Sequence, residues 1–212
     1  MRLGELVLLI ETWADVICPW CYIGKRNLQA ALLVFETNDS ITVSHRAFRL
    51  DPMATGSRSA LEMLGERFGL TQARTMMEQV SAVAAGVGLA FRLEDTLTGS
   101  TLDAHRILLW AQAQGEAQQL LEVFQHAYFE QAQSLFDHEN LIDLAFVAGF
   151  SRDEVRSLLE GEAFVSEVES DQAMAASLGA TGVPFFVIDG KYGISGAQPP
   201  EMILKTLAQA NS

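Results

Sequence analysis

The sequence predicts an α/β fold in which both ends of the chain build one sheet and the middle forms a large all-helical insertion. Three observations favour it: a strand–helix–strand order at the start, a helix–strand–strand–helix order at the end, and a middle without a convincing strand. Neither end can bury a core alone, so we expect the two ends to share a sheet. The predicted limits are residues 1–52 with 162–212 for the sheet domain and 53–161 for the helical subdomain.

The opening segment predicts a β-α-β unit. Residues 6–12 are apolar and rich in branched side chains, which is typical of a buried strand. Pro19 suits the first position of a helix with Cys18 at its N-cap. A second strand is predicted at residues 41–48, and two strands joined by a helix pair in parallel through a right-handed crossover. One face of that second strand carries Ile41, Val43, His45 and Ala47.

Helices dominate the middle of the chain. Amphipathic spacing predicts helices at residues 102–114, 117–136, 151–161 and 164–178. Thr101 can cap the first of them, and Ser151 with Glu154 fits a capping box at the third.

The tail returns to strand structure. Residues 185–188 predict a buried strand, Asp189-Gly190 a hairpin turn, and residues 192–195 the return strand. Pro199-Pro200 then opens a last helix that continues through Leu207.

The composition describes an acidic globular chain. Of 212 residues 49% are hydrophobic, and 27 acidic residues outnumber 14 Lys and Arg for a net charge of −13. These values exclude a disordered chain and argue against a nucleic-acid partner, because an acidic surface repels phosphates. The apolar run near the N-terminus is shorter than the roughly 7–15 residues of a secretory signal, and no stretch is long enough to span a membrane. We therefore expect a cytoplasmic location and no membrane partner.

The only two cysteines, Cys18 and Cys21, follow the first strand at the start of its helix. This spacing brings both sulfurs to one helical turn, within reach of a disulfide. The free N–H groups and the dipole of the helix N-terminus stabilise a thiolate at Cys18. We expect Cys18 to be exposed and to attack a disulfide, and Cys21 to be less accessible and to resolve the mixed disulfide.

Half of a zinc site is the alternative for the two cysteines. Zinc needs two further ligands, and the spacing of the histidines is not that of a zinc site. The four histidines are His45, His105, His126 and His138. Sequence motifs for phosphate or dinucleotide binding are absent as well. We therefore expect no metal and no cofactor.

Pro184 lies directly before the apolar strand at residues 185–188. It is either a plain strand start or a cis-proline in a tight loop. In the second case, the Val183 backbone would be free to pair with an extended substrate segment. Pro19 and Trp20 lie between the two sulfurs, where their packing and N–H supply tune the reduction potential.

Four segments, in order along nearly the whole chain, carry a family resemblance. They are residues 15–25 (DVICPWCYIGK), 101–106 (TLDAHR), 182–186 (GVPFF) and 195–200 (SGAQPP). In combination they resemble the DsbA-like thioredoxin-fold oxidoreductases of the FrnE type. The resemblance implies a thioredoxin-like fold with a helical insertion, Cys18 as nucleophile, Cys21 as resolving thiol and Pro184 as the cis-proline.

We expect five residues to bind the substrate. They are Val183, Pro184, Trp20, Pro19 and His105. The block that contains His105 and Arg106 opens an insertion helix facing the active-site side, and either residue could bind substrate or only pack. Two positions depart from the family: Thr12 replaces a buried acid common in thioredoxin-fold enzymes, and Ser100 replaces the more usual Asn.

The favoured function is a thiol–disulfide oxidoreductase or isomerase with a Cys-Pro-Trp-Cys redox centre, acting on protein or small-molecule disulfides. One alternative is a glutathione-dependent isomerase or transferase of the kappa or 2-hydroxychromene-2-carboxylate isomerase type. Such enzymes usually have Ser in place of Cys18 and an Asp-Arg pair in place of Gln198-Pro199, and this sequence has neither. The other alternative is a non-catalytic, redox-switched binding or chaperone module. Expected partners are a disulfide substrate and glutathione or a thioredoxin-type reductant, with the chain a monomer or homodimer.

Overall fold

The computed structural model describes residues 7–211 and contains a four-stranded mixed sheet. Strand β1 (Val7–Ala14) pairs in parallel with β2 (Ser40–Ala47) on one side. On its other side β1 pairs antiparallel with β5 (Phe185–Ile188), and β5 pairs antiparallel with β6 (Tyr192–Ser195). The sheet order β2-β1-β5-β6 therefore joins the two ends of the chain in one sheet, as the sequence predicts. Leu6, the first residue of the predicted opening strand, lies outside the described residues.

Nine helices are assigned within residues 7–211. They are α1 (Pro19–Val34), α2 (Ala60–Phe68), α3 (Leu70–Ala85), α4 (Leu102–Gln112), α5 (Ala117–Gln131), α6 (His138–Val147), α7 (Arg152–Glu160), α8 (Val165–Ser177) and α9 (Pro200–Ala210). None of the described helices is both long and apolar enough to cross a bilayer. The domain limits given above stay a prediction.

The two faces of the sheet bury different helices. On one face, Ile10 of β1 and Phe186 of β5 pack in a cluster with Leu28 of α1 and Leu207 of α9. Trp13 of β1 lies on the opposite face with Ala175 of α8 and two side chains of β5. This alternation along each strand is the period of two that places neighbouring side chains on opposite faces.

The middle of the chain contains a short two-stranded ribbon that the sequence did not predict. Strand β3 (Ser57–Ser59) pairs antiparallel with β4 (Leu97–Gly99). The prediction that this region contains no strand is therefore wrong. Each of the two strands has only three residues, which is too short for an alternating pattern of apolar and polar residues to be recognised. A Cβ atom at Gly99 would lie 2.5 Å from the Gly56 carbonyl oxygen, so the ribbon needs glycine there.

Two other predictions need correction. The helix predicted at residues 117–136 ends at Gln131, because Ala132 adopts the left-handed conformation with a φ of 54°. Thr101 and Ser151 stand at the predicted N-cap positions, yet neither side chain makes a cap hydrogen bond. The predicted start of α1 is confirmed, with Cys18 at the N-cap and Pro19 in the first helical turn.

The predicted hairpin turn between β5 and β6 is confirmed. Asp189 and Gly190 have φ values of 50° and 65°, which is the conformation that an Asp-Gly turn supplies. Asp189 also extends the pairing with β1, because its N–H donates to the Leu9 carbonyl at 2.8 Å and its carboxylate accepts from the Leu9 N–H at 2.9 Å.

Glutamine side chains bind the outer edge of β2. The His45 N–H donates to the side-chain oxygen of Gln112 at 2.6 Å, and the Gln112 amide donates to the His45 carbonyl at 3.0 Å. Gln118 donates to the Val43 carbonyl at 3.4 Å. Helices α4 and α5 thus occupy the side of β2 that no strand pairs with.

Candidate active site

The two cysteines lie where β1 passes into α1. The Cys18 N–H donates to the Asp15 carbonyl at 3.2 Å, which closes the turn between strand and helix. The Cys21 N–H donates to the Cys18 carbonyl at 3.0 Å in the first helical turn. Both cysteines are free thiols.

Cys18 is buried, and the expectation that it is exposed is wrong. Its exposed fraction is 4%, against 2% for Cys21. The segment before β5 contributes to this burial, because Val183 packs against the cluster formed by Ala14 and the two cysteines, and its carbonyl oxygen lies 3.7 Å from Cys18 Sγ. Access to Cys18 therefore depends on this segment, whereas the neighbouring Trp20 is 41% exposed.

Burial controls the electrostatics of the second cysteine. Removal from water raises the pKa of the Cys21 thiol well above its ordinary value. Its hydrogen bond with Cys18 and the negative charge of that sulfur raise the pKa further. The Cys21 thiol therefore retains its proton more strongly than an ordinary cysteine does.

Pro184 lies against the helix that carries the cysteines. The Val183–Pro184 peptide bond is cis. A Cβ atom at Gly24 of α1 would lie 2.8 Å from the Pro184 Cγ, so the helix backbone and the proline ring are in close contact. Pro184 is buried and Val183 is half-buried. Pro19 is half-buried beside Trp20.

Of the two roles left open for His105, its burial favours packing over contact with substrate. The side chain is fully buried in α4, at 0% exposed. Its Nε2 lies 3.3 Å from Asp15 Oδ1, and its Nδ1 lies 3.3 Å from His45 Nε2. The neighbouring Arg106 is also buried, and it donates to the carbonyl oxygens of Ala163 and Leu158. Arg106 therefore holds the end of α7 to α4.

Sequence reasoning missed Asp15 and His45 as site residues. Asp15 is 1% exposed and His45 is 0% exposed, and with His105 they form a buried row of titratable side chains. The available signal was the position of His45 on the inward face of its strand, beside apolar residues, where an imidazole needs a partner. Which partner it finds depends on how α4 crosses β2, and the local pattern does not specify that crossing.

A second polar cluster joins α1 to α5. The Lys25 ammonium donates to Glu122 Oε2 at 2.8 Å, and Glu122 Oε1 accepts from the Tyr22 hydroxyl at 2.8 Å. Burial lowers the pKa of Lys25, and the Glu122 charge opposes that shift. This cluster fixes the first turns of α1 against the helical insertion.

An open groove lies next to the segment before β5. Its volume is about 550 Å³, and its lining includes Phe48, Arg49, Pro52 and Ala180. Phe48 and Ala180 pack in the same apolar cluster as Val183. The groove and Val183 therefore share one apolar cluster. Within residues 7–211, no three His, Cys, Asp or Glu side chains come together as a metal-binding group.

Comparison with known proteins finds one family and several related structures. Residues 9–208 match the family model of the DSBA-like thioredoxin domain. A probable DsbA oxidoreductase from Streptomyces coelicolor is 42% identical, with a TM-score of 0.91 over 96% of this chain and 89% of that chain. A search of curated proteins finds no match.

Two more distant structures share the fold. A cytosolic disulfide reductase DsbM from Pseudomonas aeruginosa, solved with GSH, is 18% identical with a TM-score of 0.62, over 95% of this chain and 98% of that chain. A 2-hydroxychromene-2-carboxylate isomerase is 14% identical with a TM-score of 0.68, over 95% of each chain. At these identities the likeness extends to the fold alone, and it agrees with the predicted thioredoxin-like architecture with a helical insertion.

Proposed function

The chain belongs to the DSBA-like thioredoxin family, and from that membership we propose that it is a thiol–disulfide oxidoreductase with Cys18 and Cys21 as its redox pair. The observation that carries the proposal is the asymmetry of the pair. Cys18 stands at the N-cap of α1, where the helix terminus favours an anion, whereas burial raises the pKa of Cys21.

Each cysteine then has its own step. The Cys18 thiolate attacks one sulfur of a substrate disulfide, the substrate S–S bond breaks, and one substrate thiolate leaves. Cys21 then attacks the Cys18 sulfur of the mixed disulfide and releases the second substrate thiolate. The redox pair loses two electrons and the substrate disulfide gains them. The reverse sequence forms a disulfide in a dithiol substrate.

The surface around Cys18 suits an extended peptide. Val183 presents its carbonyl beside the Cys18 sulfur, and Trp20, two residues after Cys18, has an exposed aromatic ring. The groove at Phe48 and Arg49 is large enough for a substrate side chain. We therefore assign Val183, Pro184, Pro19 and Trp20 to substrate binding and favour protein disulfides over small ones.

The cellular setting follows from the same proposal. We place the protein in the cytoplasm, within the FrnE type of the family, with glutathione or a thioredoxin-type protein as redox partner. The related reductase DsbM was solved with GSH, which supports glutathione as a candidate. A net charge of −13 argues against a nucleic-acid partner.

Single-cysteine variants test the proposal. Cys18→Ser is expected to abolish disulfide exchange with a peptide disulfide, whereas Cys21→Ser is expected to accumulate a covalent mixed disulfide that mass spectrometry detects. Unchanged exchange in Cys18→Ser would refute the proposal. Aggregation suppression that survives loss of both cysteines, with no exchange in the wild type, would favour a chaperone module instead.

A glutathione assay tests the alternative enzyme class. Saturable glutathione binding, with isomerase or transferase turnover that survives Cys21→Ser, would favour the glutathione-dependent type. The reduction potential, measured by alkylation in a glutathione titration, gives the direction of exchange. A value near roughly −270 mV, like that of thioredoxin, indicates a reductase, and a value well above the cytosolic pool indicates an oxidase or isomerase.

A further inference from the structure

We propose that Arg49 binds an acidic side chain of a protein substrate, and that the groove beside it takes the apolar residues next to that side chain. This role rests on the function proposed above and deepens it, because it names the kind of polypeptide whose disulfide is brought to Cys18. The groove is lined by the loop that follows β2 and by helix α8.

The groove lies at the end of the sheet that carries the redox pair. Strands β1 and β2 are parallel, so Arg49 follows the end of β2 as Cys18 follows the end of β1. Val183 packs against the cluster of the two cysteines, and it also packs in a second cluster with Phe48 and Ala180 of the groove wall. An extended chain advances about 3.3 Å per residue, so a short substrate segment spans neighbouring clusters of this kind.

The loop that carries Arg49 is fixed by hydrogen bonds on both sides. The Arg49 N–H donates to Gln172 Oε1 of α8 at 2.7 Å. The next N–H, that of Leu50, donates to Asp15 Oδ2 at 2.8 Å, in the turn that precedes Cys18. The backbone of Arg49 is therefore held relative to both α8 and the redox pair, and a binding residue that is held in advance loses less entropy when its ligand arrives.

The Arg49 guanidinium has no carboxylate partner within residues 7–211. Most Lys and Arg side chains of these residues form ion pairs, and Arg49 does not. Its Nη2 donates to the Pro52 carbonyl at 2.8 Å and to Ser100 Oγ at 3.4 Å. Its Nε is buried without a partner, and the acid of the same loop, Asp51, accepts from the Met53 N–H at 3.0 Å. Arg49 thus retains its charge and unused donors for a group from outside.

A carboxylate is the group that fits these donors. The guanidinium is planar, permanently charged and matches the two oxygens of a carboxylate. The net charge of −13 repels a run of acidic residues, and the exposed Glu169 on the groove lining disfavours a second acid there. The ligand is therefore a segment with a single acidic residue, placed at Arg49.

The rest of the groove is apolar and suits a polypeptide. Phe48 and Val168 form part of its lining, and the small, exposed Ala173 and Ala176 of α8 let a chain come close. Glutathione has no apolar side chain for such a wall, which favours a polypeptide over this small disulfide. Exposed apolar side chains on the same two elements add to the surface, as binding sites for polypeptides do. They are Leu50 and Met53 of the loop and Met174 and Leu178 at the end of α8.

A set of disulfide peptides tests this assignment in the full chain. The peptides have apolar residues around the cysteine and differ at one position, which holds Glu, Gln or Lys and is moved along both flanks. Arg49→Gln removes the charge, Arg49→Lys keeps it and Arg49→Glu inverts it. Lys191→Gln is the matched control, because it removes the same charge from the turn between β5 and β6, at the far end of β5 from Pro184.

The wild type is expected to show a KM about fivefold lower for the Glu peptide than for the Lys peptide at one or more positions, near the upper end for a half-exposed ion pair. The kcat is expected to stay the same, because the contact is equal in ground state and transition state. Arg49→Gln loses this preference, Arg49→Lys keeps it and Arg49→Glu reverses it, whereas Lys191→Gln behaves as the wild type. Ala176→Trp, which fills the groove from α8, raises the KM of every peptide.

A binding measurement separates this site from the redox chemistry. A peptide with Ser in place of its cysteine cannot exchange, and fluorescence anisotropy gives its dissociation constant. The same Glu preference and the same loss in Arg49→Gln are expected. A wild type without disulfide exchange, or exchange that survives Cys18→Ser, refutes the proposed function, while the anisotropy result still decides the role of Arg49.

Three results would overturn the role of Arg49. One is equal KM values for Glu and Lys peptides at every position in the wild type. Another is an equal loss for all peptides in Arg49→Gln, which is what a role confined to the bonds with Pro52 and Ser100 predicts. The third is impaired exchange with glutathione disulfide in Arg49→Gln while the peptides are unaffected, which would assign the carboxylate to a small disulfide. If Arg49→Gln does not fold, Arg49→Lys and Ala176→Trp decide by the same criteria.

Discussion

A Cβ atom at Gly24 would lie 2.8 Å from the Cγ atom of Pro184, which shows how closely the helix that carries the two cysteines approaches the segment before β5. Atoms rarely approach so closely, and both partners are rigid: one belongs to a helix backbone and the other to a proline ring. The residue before this proline, Val183, places its carbonyl oxygen 3.7 Å from Cys18 Sγ.

Gly24→Ala is therefore expected to push the Pro184 segment away from α1. We expect a loss of about 1–3 kcal/mol in unfolding free energy, as in other overpacked cores, and slower disulfide exchange. Chemical denaturation and a peptide exchange assay measure the two effects. Gly161→Ala is the control, because its Cβ would meet its nearest neighbour at 3.8 Å. Equal stability and activity in both variants would contradict the packing argument.

We expect the buried Lys25–Glu122 ion pair to contribute more to the unfolding free energy than an exposed ion pair does. Glu122→Gln removes the charge that neutralises Lys25, an ammonium only 7% exposed. We expect a loss of about 1–3 kcal/mol in unfolding free energy, because a buried charge loses its partner. Glu66→Gln, at the exposed pair with Arg58, is expected to lose less than about 1 kcal/mol. Equal losses in denaturant melts would argue against a structural role for the buried pair.

His45 predicts acid sensitivity of the fold. Its folded-state pKa is lowered, so below about pH 6.5 the unfolded chain binds a proton that the folded chain does not. Stability is therefore lost as the pH falls below that value, by up to about 1.4 kcal/mol per pH unit. His45→Gln is expected to flatten this slope in denaturant melts at a series of pH values. Identical slopes in variant and wild type would refute the assignment to His45.

Asp171 joins α8 to the sheet through hydrogen bonds, and we expect these bonds to contribute to the unfolding free energy. Its Oδ2 accepts the Ala47 N–H at 2.9 Å, and its Oδ1 accepts from Arg46 at 3.2 Å. Asp171→Ala leaves the buried Ala47 N–H without a partner, at an expected cost of about 1–3 kcal/mol in unfolding free energy. Asp171→Asn retains an acceptor oxygen and is expected to cost less. The exposed Glu169→Ala on the same helix is the control, and an equal loss there would refute the argument.

The sequence predicted those parts of the fold that depend on local pattern. The start of α1 follows from a proline at the first helical position, and the turn at Asp189 and Gly190 follows from their tolerance of positive φ. The burial of Cys18 depends on Val183, which is 165 residues away along the chain. The pairing of Asp15 with His105 likewise depends on where α4 crosses the sheet, and no short window of sequence contains that information.

The glutamine side chains along β2 affect whether a second copy of the chain can add a strand to this edge of the sheet. An edge strand with unpaired N–H and C=O groups is a template on which a strand of another molecule can add. Gln112 and Gln118 satisfy such groups at His45 and Val43, so this edge has little left to offer a second chain. The opposite edge, β6, is only four residues long. Two helices of the middle segment thus cover one edge of the sheet and leave it few groups to which a strand of another molecule could bond.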